Sequence, residues 1–428
     1  MKSNSQLQSS SRDKNLTKPN KAKLARIIFR WAVITVGVCI GLASLSFIAL
    51  QAWPALGAQG ADMLRSIIGD QAVANLEMEI NLLQDGLQKI KYEVSMDRPV
   101  APWATAQLVA PTLIPTPSPE LQAPLPFQTG TALPAIQSLQ PTPAPTPSVW
   151  QPANLKPLGS AVGEGIWSAY IQDRQGQTVA YRTFLQPDPT RPYALVAVVA
   201  IDLTHTRLHF LLGSIEPVGP PGPPRTGAIP APDRAANFLL AAFNGGFKAR
   251  HGQFGAMADG ITALPPRDGL GTVVIYQDGS VRLGEWGADL GMSPEVVAFR
   301  QNGPLVIRNG KIDPRIYNNS PEDWGYTVID VSPTVRTGIG LSEDESTLFY
   351  FCGPSLSMEA LANSMQAAGA WNSIQLDINN YWALFVKFQP SGSNLVPEAL
   401  LPDLMVANIE RYLWDYTRDY FYITDITK

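Results

Sequence analysis

The sequence predicts an α+β fold: a mixed, largely antiparallel β-sheet core with a few packed helices, preceded by a transmembrane helix and a Pro-rich linker. Three observations predict it. Short β-branched runs punctuated by Asp-Gly and Asn-Gly pairs fill the C-terminal part, a capped helical period stands at 357–368, and an uncharged apolar run near the N-terminus is followed by Pro/Thr-rich chain.

The first element is the run 31–50, WAVITVGVCIGLASLSFIAL. About 20 uncharged apolar residues match the hydrocarbon thickness of a bilayer when helical. Lys14, Lys18, Lys21, Lys23, Arg26 and Arg30 precede it, and only Asp62 and Arg65 closely follow. The positive-inside bias therefore puts the basic tail, 1–30, in the cytoplasm and the rest of a single-pass protein outside it. A cleaved signal peptide is the competing reading; the long basic region, the length of the run and the lack of an A-x-A site favour the anchor. Residues 61–94 then carry Leu64, Ile67, Ile68, Val73, Leu76, Ile80, Leu83, Leu87 and Ile90 at near three-and-four spacing, which predicts one amphipathic helix or two short ones. Its apolar stripe has three candidate partners: its own domain, the membrane interface, or a second copy through self-association.

From 98 to 157 the chain turns to Pro, Thr, Ala, Ser and Gln, with runs such as PTLIPTPSPE and PTPAPTPSVW. Proline fixes φ and withholds donors, so this stretch predicts an extended, disordered spacer without a core. At about 3.1 Å per residue it would reach on the order of 150 Å, and its Thr/Ser-Pro content fits a glycosylated stalk.

The segment 158–428 reads as one domain. The near-continuous apolar run 193–203 suits a buried strand, and 207–212 its neighbour. Residues 272–276 and 281–286 flank Asp278-Gly279, and 305–307 precedes Asn309-Gly310, the pairs that tight hairpins require. At 357–368, Ser357 can cap, Glu359 sits in the first turn, Met358, Leu361 and Met365 share a face, and Gly369 ends the helix. A strand at 374–378 follows. A second helix is predicted at 404–416, and the aromatic cluster through Phe421 as packing.

The charges, 32 basic and 36 acidic residues for a net −4, exclude a nucleic-acid partner. The 2 cysteines, Cys39 inside the apolar run and Cys352, argue against an internal disulfide. His205, His209 and His251 show no metal-ligand spacing, so no metal site and no cofactor is evident. The phosphate loop GxxxxGK[ST], the GxSxG elbow and HExxH are all missing.

Site chemistry is concentrated in three segments: Asn244-Gly245-Gly246-Phe247, the strand Val335-Arg336-Thr337-Gly338-Ile339-Gly340, and Ile374-Gln375-Leu376-Asp377. They set a Gly-flexible polar turn, a guanidinium and a carboxylate at the ends of apolar strands. The bland readings are turn chemistry for Asn-Gly and for Asp259-Gly260, and a buried ion pair for Arg336 and Asp377. In this order, with Asp259-Gly260 after NGGF and the segment 303–310 ahead of the arginine, the chain resembles the phosphodiester glycosidase domain family. That family includes the mannose-6-phosphate uncovering enzyme and bacterial relatives. The resemblance covers roughly 194–388. It departs at one place: the family follows its aspartate with LDGGGS, whereas here Ile378-Asn379-Asn380-Tyr381-Trp382 follow Asp377. Only the two Asn residues readily tolerate the backbone that glycine allows.

The resemblance implies a membrane-anchored extracytoplasmic hydrolase that cleaves sugar-1-phosphodiester linkages of a surface polysaccharide or glycolipid. In this reading Arg336 holds the phosphoryl oxygens and Asp377 activates water or attacks the anomeric carbon. Asn244, the amides of Gly245 and Gly246, Asp259, Thr337, Asn379 and Asn380 bind substrate. The alternative is a noncatalytic glycan-binding domain on the same scaffold, serving envelope or exopolysaccharide assembly. The basic tail, single span and Pro-Thr spacer suggest a bacterial origin.

Overall fold

The computed structural model describes residues 63–95, 150–217, 225–236, 238–317, 333–405 and 408–426, with Gly60, Val100, Trp103 and Trp324 besides. The basic tail 1–30, the apolar run 31–50 and most of the linker 98–157 lie outside the described residues. Among the described residues no helix is long and apolar enough to cross a membrane.

Three sheets carry the fold, with strands numbered in chain order. The first has eight strands in the order β1 (Ser168–Gln172), β2 (Thr178–Leu185), β3 (Val196–Asp202), β14 (Thr347–Leu356), β13 (Thr334–Leu341), β15 (Asn372–Gln375), β11 (Ile307–Arg308) and β12 (Lys311–Ile312). The second has five: β7 (Ile261–Leu264), β6 (Ala256–Ala258), β10 (Val296–Gln301), β8 (Gly271–Tyr276) and β9 (Val281–Glu285). The third, also of five, runs β17 (Asn394–Ala399), β16 (Phe385–Ser391), β5 (Leu239–Asn244), β18 (Tyr420–Asp425) and β4 (Thr206–Leu211). The paired strands are antiparallel, as in β3 with β14 and β5 with β18. A lone parallel bridge joins Trp286 to Leu290.

The apolar run read as a buried strand is β3, and all of its residues are buried. Alternation explains why. Ala197, Val199 and Ile201 enter one core, shared with β5, β16 and β18, while Val196, Val198 and Ala200 enter another. The second core holds Met358, Leu361 and Met365 of helix α2 (Met358–Ala367). The large sheet thus separates α2 from the layer containing the third sheet. Ser357 caps α2, its side chain accepting from the Ala360 amide, and Gly369 at φ 85° follows its end. Asp278-Gly279 turns β8 into β9, and Asn309-Gly310 turns β11 into β12.

Two boundaries differ from expectation. Where a second helix is predicted at 404–416, the described residues 404–405 and 408–416 form turns and a short 3₁₀ segment, Arg411–Leu413. Asn408 has φ 38°, and Arg411 donates to the Asn408 and Tyr381 carbonyls, so the backbone leaves the helical path. The domain also begins ahead of 158. The Leu155 amide bonds Gly165 O, the Trp167 indole donates to Ala153 O, and the Trp150 ring lies 5.7 Å from that of Tyr181.

The apolar stripe of 61–94 forms helix α1 (Asp70–Ser95), with a further helical turn at 63–68 set off by Gly69 at φ 88°. The domain receives its polar edge. Asp85 pairs with Arg191 at 3.0 Å and accepts from the Tyr193 hydroxyl at 2.9 Å; Tyr92 packs near Tyr193. Most of the apolar stripe stays exposed.

Burial pushes the His209 imidazole down to about 4. The ring stacks on Tyr422 at 4.4 Å and bonds Thr424 through Nε2. The unfolded chain takes up this proton first, near about 6.5, so stability is full above that pH and falls as pH drops through about 4. The expected loss is on the order of 3 kcal/mol between pH 7 and 4. Thermal melts across that range, compared with His209→Phe, check it: the variant should show a flatter profile, and an unchanged slope would remove His209 as the cause.

Candidate active site

The segments singled out in the sequence meet where β5, β13 and β15 end. Asn244, the last residue of β5, is buried, and its side chain ties β5 to β13, to β14 and to the chain entering β16. Its Nδ2 donates to Thr337 Oγ1 at 3.0 Å and to Gly245 O, while its Oδ1 accepts from the Tyr350 hydroxyl at 2.9 Å and the Leu384 amide. Thr337 Oγ1 in turn donates to Asp377 O at 2.7 Å, and the Asp377 amide donates to Gly245 O. Asn244, Gly245, Thr337 and Asp377 therefore form one continuous hydrogen-bonded group.

Arg336 is elsewhere. Neighbouring residues of a strand face opposite sides of the sheet. Thr337 points to the Asn244 side, so Arg336 points to the α2 side, where its Nε donates to Leu356 O and its Nη1 to Gln375 Oε1, both at 2.9 Å. The glycines beside it have the same cause. A Cβ on Gly338 would lie 2.2 Å from Met365 Cε of α2, and one on Gly340 2.8 Å from Ala370, so this motif's glycines admit the helix.

The guanidinium that meets Asp377 is that of Arg418, just ahead of β18. Its Nη2 donates to Asp377 Oδ2 at 2.7 Å and to Gly246 O at 2.8 Å. Arg418 and Asp377 are each 5% exposed, and the Arg418 Nε and Nη1 are buried without a hydrogen-bond partner among the described residues. Burial opposes the charge on Arg418, but the carboxylates of Asp377 and Asp419 outweigh it and raise its pKa. The Arg418 guanidinium lies 4.9 Å from the Trp382 ring centre, and the Lys248 ammonium lies 5.5 Å from the same ring.

Asp419, the next residue, builds the floor. Its Oδ2 accepts from Arg300 Nε at 2.8 Å and from the Gly246 amide at 3.1 Å, and its carbonyl accepts from the Gly245 amide. Arg300 also donates to Phe247 O, and Asn302 Oδ1 accepts from the Phe247 amide. The NGGF amides are thus engaged within the protein rather than turned toward a ligand. A Cβ on Gly245 would stand 2.2 Å from Asp419 Oδ2, and one on Gly246 2.9 Å from Arg300, which is why glycine occupies both positions.

The remaining expected residues spread out. Asp259 is exposed at φ 50° in the β6–β7 turn, with Gly260 beside it. Asn379 donates its amide to Asp377 Oδ1 and accepts the Tyr381 amide on its own side chain, which makes two consecutive Asx turns. Asn380 is exposed. These turns replace the glycine run and carry Trp382 to the Arg418 guanidinium. Near Asp377, burial pushes His251 down to about 4, with Arg250 adding to the effect and Asp377 opposing it. Among the described residues no cluster of three or more His, Cys, Asp or Glu is arranged to hold a metal. Cys352 is buried and free. Two surface hollows of about 580 and 410 Å³ lie elsewhere, one along Tyr276 and Glu295, the other beside Arg234 and Trp414.

Arg418 and Asp419 are the residues that sequence reasoning missed. They belong to no motif, and only their position between an aromatic turn segment and the aromatic strand β18 hinted at buried charge.

Among curated proteins none matches the chain. Among solved structures, the zebrafish N-acetylglucosamine-1-phosphodiester alpha-N-acetylglucosaminidase catalytic domain, auto-inhibited by its pro-peptide, is 16% identical with a TM-score of 0.37, covering 61% of this chain and 88% of that one. A hypothetical protein from Synechocystis is 12% identical at 0.30, covering 60% of this chain and 62% of that one. A putative exported protein from Burkholderia pseudomallei is 11% identical at 0.29, covering 54% and 74%. Superpositions at these scores assign no function. The family comparison is more direct: residues 237–378, which hold Asn244, Arg336 and Asp377, match the phosphodiester glycosidase family.

Proposed function

We propose that the protein is a hydrolase of the phosphodiester glycosidase type, acting on a sugar-1-phosphodiester. The observation that carries this reading is the Asp377–Arg418 pair: a buried carboxylate at the end of the family segment, held by a guanidinium with two further nitrogens unused. The chemistry divides between them. Asp377 takes a proton from water, or attacks directly, as the bond to the anomeric carbon forms. The anomeric carbon–oxygen bond breaks, and its electron pair leaves with the phosphomonoester. A phosphate is a weak base and needs little proton donation on leaving, so one carboxylate with a cation can replace the usual carboxylate pair. The guanidinium assigned to the phosphoryl oxygens is Arg418 rather than Arg336, which lies across the sheet; Lys248 adds charge at the rim.

The proposal extends to location. The uncharged run 31–50 and the basic residues before it make this a single-pass membrane protein with its C-terminal domain outside the cytoplasm, facing a surface polysaccharide or glycolipid. A noncatalytic glycan-binding role is the second reading, supported by Tyr381 and Trp382, whose aromatic faces replace the glycine run.

The test is release of free sugar from a panel of sugar-1-phosphodiesters by the full-length protein. Release with equimolar phosphomonoester supports the hydrolase. Saturable glycan binding without release, across the whole panel, replaces it with the receptor.

A further inference from the structure

Within α1 the apolar residues Val73, Leu76, Ile80, Leu83, Leu87, Ile90 and Val94 are spaced three, four, three, four, three and four, while Met78 and Leu82 fall outside that series. That is an unbroken heptad seam. Placing Val73, Ile80, Leu87 and Val94 at a puts Leu76, Leu83 and Ile90 at d. The residues that touch the domain, Asn81, Asp85 and Tyr92, fall at b, f and f, on the back of the helix. The domain therefore fixes the helix by its polar edge and leaves the seam facing outward: Leu83 is 67% exposed and Val94 79%, and of the seven only Val73 is buried.

We infer that this seam is a docking surface for a second copy of the same helix, forming a parallel two-stranded coiled coil. Its composition selects that occupant. Three of the four a positions are β-branched and two of the three d positions are Leu, the choice that favours parallel dimers. The successive g-to-e′ pairs would be Ala72 with Glu77, Glu79 with Gln84 and Gly86 with Lys91, so no like charges oppose each other. A lipid surface fits less well, because α1 carries five acidic residues (Asp70, Glu77, Glu79, Asp85, Glu93) against two lysines (Lys89, Lys91). The seam is about 32 Å long at 1.5 Å per residue. At a helix width of about 10 Å, its footprint is on the order of 300 Å² per copy, below the roughly 1,000 Å² total of a stable interface, which makes the contact a weak, transient one. The dimer is accordingly concentration-dependent and, resting on apolar contacts, little affected by salt.

The experiment is sedimentation of the full-length protein over a concentration series, beside the double variant Leu83→Glu/Leu87→Glu. Both side chains are exposed, so the domain keeps its melting temperature while the dimer dissociation constant rises more than about 100-fold. Parallel register is read separately from Leu83→Cys, which forms a symmetric disulfide under mild oxidation only if equivalent residues meet. A monomer at every concentration or a dimer indifferent to the Glu pair would each overturn the inference.

Discussion

Asp377→Asn is expected to lower sugar release by on the order of 10²–10⁴-fold, the range for removing a group that moves a proton in the transition state. The substitution isolates the chemistry. An Asn side chain keeps an acceptor for the Asn379 amide, so the turn carrying Trp382 survives, but it cannot take a proton or attack carbon. Arg418 then sits buried beside Asp419 without its second carboxylate, so some loss of stability accompanies the change. The two effects are told apart by comparing kcat with the fraction folded at the assay temperature. If kcat is retained in folded protein, Asp377 is a structural anion and the hydrolytic reading fails at its centre.

The largest effect on stability is expected from Arg300→Met. Arg300 and Asp419 are both buried, and the guanidinium donates to Asp419 and to the carbonyls of Phe254, Gln301 and Phe247. Methionine fills part of the volume and makes none of these bonds. Breaking a buried pair from one side costs about 3–5 kcal/mol, chiefly because the partner charge is left without compensation. For a domain of this size that lowers Tm by roughly 6–20 °C. Denaturant or thermal unfolding measures it, with Arg300→Met/Asp419→Leu as the second arm of a cycle. The double variant should recover part of the loss, since no lone carboxylate remains buried. A shift of about 1 kcal/mol or less for Arg300→Met would mean that water reaches Asp419 and that the floor of the site is wetter than its geometry shows.

Much of the scaffold was legible because its signals are local. The all-apolar run of β3, the Asp278-Gly279 and Asn309-Gly310 hairpins, and the Ser357 cap with Gly369 each specify their element within a few residues. The convergence of Asn244, Thr337 and Asp377 was legible only as an ordered set of motifs. What failed was side and partner. Strand parity alone puts Arg336 and Thr337 on opposite faces, but which face meets Asn244 depends on how β13 lies between β14 and β15. Arg418 and Asp419 carry no signature, because the residues they serve are far away in the chain. The predicted helix at 404–416 failed for a related reason: Arg411 reaches back to Tyr381, and that tertiary bond outweighs local helical spacing.

The strand β18 has a consequence for how the protein is made. The Gly246–Asp419 bond joins residues 173 positions apart, and β18 lies between β5 and β4, which are made long before it. During synthesis the NGGF turn and Asp377 emerge with neither Arg418 nor the Asp419 carboxylate in place, and β5 waits with an open edge. The active centre can close only when β18 inserts, so a ribosome stalled short of Arg418 releases a chain that has most of the sheet and none of the ion pair. Order of assembly thus makes that open edge the point where a chaperone has most to shield.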